Sequence, residues 1–323
     1  MMKNLNLFFE ENSFTVNFFK ENVSHSENDI ENCDWIISCG VDFGTTNKSK
    51  IQNKLNQYLL SSKKVIFFLN SDFSASLNVP ENVLLFRTSM YKSLKKHNEY
   101  LLPYIWENSS KYFSPLPKSD KLHIGFCGNT KNNLGFRQSC INRFQKSKKI
   151  TTKIISRSGF WGGKPNDKNY IEDFENNVKE THFTLCNRGK GNFSIRFYQI
   201  LSMGRIPILI DSDMVFPFEK EIDWENLIVK SKSESKLIRK LLDFWETKSD
   251  KEIQEIQTKC KKIHEEYFEL KSFGNKIHQL LINFESTKIN EINTKSFSDY
   301  LSFPEMKYKI SKKINLILSL IAV

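Results

Sequence analysis

The residues best equipped for chemistry lie in one stretch, CNRGKGNFSIRFYQILSMGRIPILIDSD, from Cys186 to Asp213. Arg188 and Arg196 bracket Gly189 and Gly191, and an apolar helix pattern follows at once. Glycines let a backbone come close to a ligand. Asn192 or Ser194 can cap the helix and leave spare N–H groups pointing outward. Arg196 falls in the first turns of that helix, where the dipole disfavours a cation, and an anion beside it would offset the penalty. Arg196 and Gln199 are three apart and share a helix face. A guanidinium for a phosphate and an amide for a neighbouring ribose would suit such a pair. The competing reading makes Arg188 and Arg196 ordinary surface ion-pair partners. The stretch is neither a Walker A loop, which ends in Gly-Lys-Ser/Thr, nor GxGxxG.

A site of this kind needs a strand before it and a helix after it. The spacing predicts both, with FTLCNRG as strand, NFSIRFYQILSMG as helix and IPILIDSD as the next strand. Upstream, LHIGFCGN reads as strand, FRQSCINRFQ as helix, KIISRSGFW as strand and YIEDFENNVKETHF as helix. This alternation implies a parallel sheet with helices on both faces. An earlier block gives WIISC, KVIFFLNSD and NVLLFRTS as strands and SKIQNKLNQYLLSS as a helix. Between the blocks, residues 107–121, with two prolines and four serines, read as a linker. After Trp224 the pattern turns helical, with Leu237, Ile238, Leu241 and Leu242, then Ile253, Ile256, Cys260 and Ile263, on apolar stripes.

The chain has 323 residues, 39% of them hydrophobic and 26% charged, so it reads as globular, with room for two cores. Its net charge of +11 favours an anionic partner, although the lysines are spread along the chain as on a solvated surface. No arginine-rich helix or RNA-binding aromatic strand supports a nucleic-acid partner. Six cysteines without a CxxC pair argue against zinc and for buried free thiols in a reducing compartment. The first residues lack the apolar core of a signal peptide, and the final INLILSLIAV is too short to span a bilayer. It is expected to pack as a terminal helix or strand.

The segment from FTLCNRG to IDWENLIV resembles the exostosin family of glycosyltransferases. The resemblance rests on Arg188-Gly189, Ser194, Arg196, Ile206-Pro207, Phe216-Pro217-Phe218 and Ile222-Asp223-Trp224 in that order, with IGFCGN similar to the strand opening the family's nucleotide-binding half. The likeness is dense over residues 122–229 and weak before them. It implies an α/β, GT-B-type fold in which two Rossmann-like domains face each other across a cleft. The implied division is an acceptor-side domain at 1–118, a nucleotide-sugar domain at 119–290, and a tail at 291–323 that crosses back to the first. The implied activity is transfer of a sugar from a nucleotide-diphosphate sugar, UDP-linked, to a glycan or lipid-linked glycan in polysaccharide or lipopolysaccharide synthesis, with inversion. By the same resemblance Arg188 and Arg196 contact the diphosphate, assisted by Gly189, Gly191, Asn192 and Ser194. Gln199 stands where the family holds the ribose with Glu. That departure leaves a second reading open, a weak or degenerate nucleotide-sugar-binding protein on the same scaffold.

Transfer also needs a base for the acceptor hydroxyl. Asp42 and Asp72, each ending a predicted strand of the first block, are the candidates, with turn acids as the plainer alternative. His123 and His182 flank strands and read as structural. Arg87, Arg137 and Arg143 could line the cleft or simply lie on the surface. Asp211 and Asp213 form a DxD pattern that can hold a metal elsewhere, but here it follows the strand after the arginine helix and is expected to form a turn. The arginines supply the charge, so neither a metal nor a cofactor beyond the nucleotide-sugar co-substrate is expected. The expected location is cytoplasmic, near the inner face of a membrane, because NFS at 192–194 would be a glycosylation sequon in a secretory lumen.

Overall fold

The computed structural model describes residues 5–43, 47–104, 113–131, 136–158 and 167–284. The expectations for 291–323 and for the terminal apolar segment lie outside the described residues.

The first sheet has six strands: β1 (Leu5–Phe9), β2 (His25–Glu27), β3 (Trp35–Asp42), β4 (Lys64–Asn70), β5 (Val83–Arg87) and β6 (Glu99–Leu101). They run parallel in the order β2-β1-β3-β4-β5-β6. β4 and β5 are nearly continuous apolar runs because helices cover both of their faces. The helices α1 (Phe14–Asn22) and α2 (Lys48–Asn56) lie over opposite faces, giving two separate cores. The strands β1, β2 and β6 and the helix α1 were not legible in the periodicity. β2 and β6 have three residues each, too few to show a period of two.

The second sheet contains β7 (Leu122–Asn129), β8 (Ile150–Arg157), β9 (Phe183–Leu185), β10 (Ile206–Ile210) and β11 (Val229–Ser231). It is also parallel, in the order β11-β10-β9-β7-β8. Its helices are α3 (Phe136–Lys146), α4 (Lys168–Lys179), α5 (Ile195–Ser202), α6 (Trp224–Leu227), α7 (Glu234–Thr247) and α8 (Asp250–Tyr267). α8 starts at a capping box in which Ser249 and Glu252 satisfy each other's backbone N–H groups. Residues 113–118 of the expected linker lie along α8, where Leu116 and Gln257 exchange two hydrogen bonds. The fully buried Arg205 binds the same strap, through Ser114 O at 3.0 Å, to the end of α4, through Val178 O and Lys179 O.

The last described helix, α9 (Leu270–Asn283), corrects the expected division. Residues 119–290 were assigned to the second domain, yet Phe273, Ile277 and Leu281 sit in the first domain's core with Leu7, Val16 and Phe19. Phe273 stacks on Phe18 at 6.0 Å. The chain crosses back by α9 because the apolar stripe of α9 matches the face of α1.

Candidate functional site

The carboxyl ends of the two sheets face each other. In an open parallel sheet the crevice for a ligand opens at the carboxyl ends of the strands, where the strand order reverses. In the second domain that point lies between β7 and β9, and the arginine loop leaves β9 there. Across from it stand the loops after β4 and β5 of the first domain. Arg87, fully buried rather than cleft-lining or exposed, shapes both loops. It donates to Phe73 O and Ser89 O and pairs with Glu99 at 3.3 Å.

Arg196 is buried, with one bond from Nη2 to Cys127 O at 2.7 Å at the end of β7. Its Nε and Nη1 have no partner. The guanidinium lies over the Phe126 ring at 4.4 Å. Gly128 makes room for it. Its φ is +138°, and a Cβ there would come within 2.5 Å of Arg196 Nη2. Arg137 of α3 joins the cluster, donating to Asn129 O at 2.9 Å and Asn187 O at 3.3 Å. Burial first, then the Arg196 charge, pushes the Arg137 pKa down to about 9. Burial lowers that of Arg196 as well. Among the described residues neither guanidinium has a carboxylate partner in hydrogen-bond contact. An unsatisfied buried donor costs about 1–3 kcal/mol. The cluster is therefore buried positive charge with unsatisfied donors at Arg196, and an anion with several oxygens would relieve it. Surface ion pairing does not describe Arg196.

Arg188 is placed differently. It is 2% exposed, and its donors reach Gly191 O, Lys190 O, Asn192 Oδ1 and the Tyr91 hydroxyl of the first domain. Gly191 approaches protein rather than open space. A Cβ on it would stand 2.6 Å from Asp72 Oδ1 and 3.1 Å from Ser89 Oγ. Gly189 has ordinary room beside Arg137, 3.4 Å away. Ser194 is the N-cap of α5 but makes no side-chain cap bond. The amide of Asn192 points across the domain junction instead of capping. Gln199 is half-buried, one turn beyond Arg196.

The two candidate bases separate. Asp42 receives Thr15 N at 2.7 Å and Thr15 Oγ1 at 2.6 Å, and Asn70 Nδ2 at 3.0 Å, so both of its oxygens hold the start of α1. Asp72 lies against Gly191, within electrostatic reach of Arg137 and of the Tyr104 hydroxyl. Burial first, then the Asp72 charge, raises that phenol's pKa. The DxD acids make turns and contacts. Asp211 Oδ1 receives Asp213 N and Met214 N, and Asp213 receives Ser93 of the first domain. Among the described residues no cluster of His, Cys, Asp and Glu has metal-binding geometry. His182 is buried against Trp245 and bonds Pro117 O, which is a structural placement. Arg143 is exposed. All six cysteines are buried. Among the described residues no helix is long and apolar enough to cross a membrane.

Arg137 and Gly128 are the site residues that sequence reasoning underrated. The signal for Gly128 was the IGFCGN strand, whose last glycine lies against Arg196 of the arginine helix.

Two Rossmann-like α/β domains with facing strand ends and a returning terminal helix form a GT-B-type fold. No protein-family model matches the chain. Exostosin-1 of Drosophila melanogaster is 37% identical over 57 residues, 18% of this chain and 8% of that protein's length. The chain thus matches only a small part of that relative. Among solved structures, TarM is 10% identical with a TM-score of 0.41, covering 76% of this chain and 54% of that one. WaaG, a glycosyltransferase involved in lipopolysaccharide biosynthesis, is 8% identical with a TM-score of 0.38, covering 87% and 100%.

Proposed function

We propose that the chain transfers a sugar from a nucleoside-diphosphate sugar, UDP-linked, to a glycan or lipid-linked glycan hydroxyl. The observation that carries this reading is the buried Arg196 guanidinium, with two unpartnered donor atoms, at the strand-order reversal of the second sheet. Arg137 adds a second charge, and Gly128 leaves room for the Arg196 guanidinium at the end of β7. The short likeness to Exostosin-1 supports the same class.

In the proposed reaction the acceptor oxygen attacks the anomeric carbon and the bond from that carbon to the diphosphate breaks. The leaving diphosphate gathers negative charge. Fixed guanidiniums in a water-poor site stabilise such charge without reorganising. Asp72, at the junction, takes the hydroxyl proton, and attack from the face opposite the leaving group inverts the anomeric centre. The arginines supply the positive charge that a metal would otherwise bring. Asp42 holds α1 in place. Gln199 offers the ribose an amide, which can donate and accept but carries no charge.

Calorimetry with UDP, followed by hydrolysis and transfer assays with a panel of UDP-sugars, tests the reading. At 100 times its dissociation constant UDP should stabilise the protein by about 2.7 kcal/mol. Binding without turnover by any UDP-sugar would favour the degenerate reading that Gln199 raises. No binding of any nucleoside diphosphate would overturn the assignment.

A further inference from the structure

The domain junction is more highly organised than a cleft between two mobile halves requires. Asn192 uses its whole amide there. Its Nδ2 donates to Met90 O at 3.0 Å and Asp213 O at 3.2 Å, and its Oδ1 accepts from Arg188 Nη1 at 2.8 Å and Ser212 Oγ at 2.6 Å. Its backbone N–H donates to Ser89 Oγ at 2.7 Å. Beside it Tyr91 forms an antiparallel bridge with Met214, Lys92 N donates to Asp213 O at 2.8 Å, and Ser93 binds the Asp213 carboxylate. Asp213 accepts these bonds from a left-handed conformation, φ +62°, which is rare outside glycine. Arg188 sits at the centre, bonded to Gly191, Lys190, Asn192 and Tyr91. Asn192 leads directly through Phe193 and Ser194 into α5, which carries Arg196.

We propose that Arg188 is a positioning residue, which with Tyr91 of the first domain latches loop 188–192 so that the Arg196 pocket is complete only when the domains are docked. The proposal rests on the reading of Arg196 as the phosphate contact. Its logic is geometric. Four protein acceptors already surround Arg188, whereas Arg196 has unpartnered donors. The loop is held by Tyr91 and Ser89, and Gly191 lacks a side chain because Asp72 and Ser89 of the first domain occupy its space. Domain docking and donor binding are then one cooperative event, and donor affinity includes the docking equilibrium.

The test compares Tyr91→Phe, Arg188→Ala, their combination and Arg188→Lys in the full chain. Without ligand, hydrogen exchange at the Asn192 amide should quicken at least about tenfold in Tyr91→Phe, a variant that removes one hydroxyl and leaves the core intact. Unchanged exchange there would overturn the latch whatever the protein binds. With UDP as the probe, both single variants should weaken binding at least about fivefold, and the double should be no weaker than the worse single, because the two residues act as one unit. Arg188→Lys should not restore affinity, since an ammonium cannot span four acceptors. If Arg188 gripped the diphosphate itself, Tyr91→Phe would leave UDP affinity intact, Arg188→Lys would largely restore it, and the proposal would fall. A parent that fails to bind UDP would sink the donor reading, while the exchange experiment would still decide the latch.

Discussion

Replacing Arg196 by Met should weaken UDP binding strongly while leaving the fold as stable as before, or more so. The change removes the charge and all donors, and the methionine thioether takes the place of the guanidinium that lies 4.4 Å over the Phe126 ring. In the free protein one charge-assisted bond is lost, to Cys127 O at 2.7 Å, a loss of about 1.5–3 kcal/mol. Against it stands relief of the Nε and Nη1 donors, which lack partners, at about 1–3 kcal/mol each. Relief of repulsion with Arg137 acts in the same direction. The balance lies near zero or favours the variant. A paired buried arginine behaves oppositely, and truncating one partner of such a pair costs about 3–5 kcal/mol. Binding should respond in the other sense. Loss of one or two charged contacts to phosphate weakens UDP by about 1.5–3 kcal/mol, or roughly ten- to a hundredfold. Urea unfolding and calorimetry on the same samples read both quantities. A variant destabilised by more than about 3 kcal/mol that still binds UDP like the parent would make Arg196 a structural strut and refute the reasoning.

Asp72→Asn should cut sugar transfer at least about a hundredfold, within the usual worth of a general base, with UDP affinity little changed. Asp42→Asn should act on the stability of α1 through the lost Thr15 contacts and spare the turnover of folded protein. The reverse pattern in single-turnover assays would reassign the base. Stability should fall in mild acid because of buried histidines. Burial, then Lys261, lowers the His264 pKa to about 4 from 6.5, so the unfolded chain binds the proton first as pH drops. The contribution is fully present above about pH 6.5 and is lost down to about pH 4. About 2 kcal/mol should be gone at pH 5, with His182 adding in the same direction. His264→Gln should flatten that part of the profile, and an unaltered slope in urea midpoints between pH 7 and pH 5 would refute the assignment.

Much of the second domain could be read locally. LHIGFCGN, FRQSCINRFQ and IPILIDSD formed the elements that their periods predict, because a strand or helix of the core must repeat its apolar residues with its own geometry. The strand-to-helix arginine loop was legible for the same reason, as were the buried thiols. Short elements such as β2 and β6 escaped because three residues carry no period. The roles of the arginines were beyond any local reading. Arg87, Arg188, Arg196 and Arg205 look alike in sequence, and each is buried. Which of them holds loops, latches domains, keeps donors open or ties the strap to α4 depends on the backbone that arrives from elsewhere in the chain. Gly191 likewise signalled a close approach, and only the docking of the first domain showed that Asp72 and Ser89 make it. Periodicity records what each residue needs from its neighbours in sequence. The partner of a buried charge is set by long-range packing, and so the tertiary structure alone decided where this chain leaves positive charge unanswered.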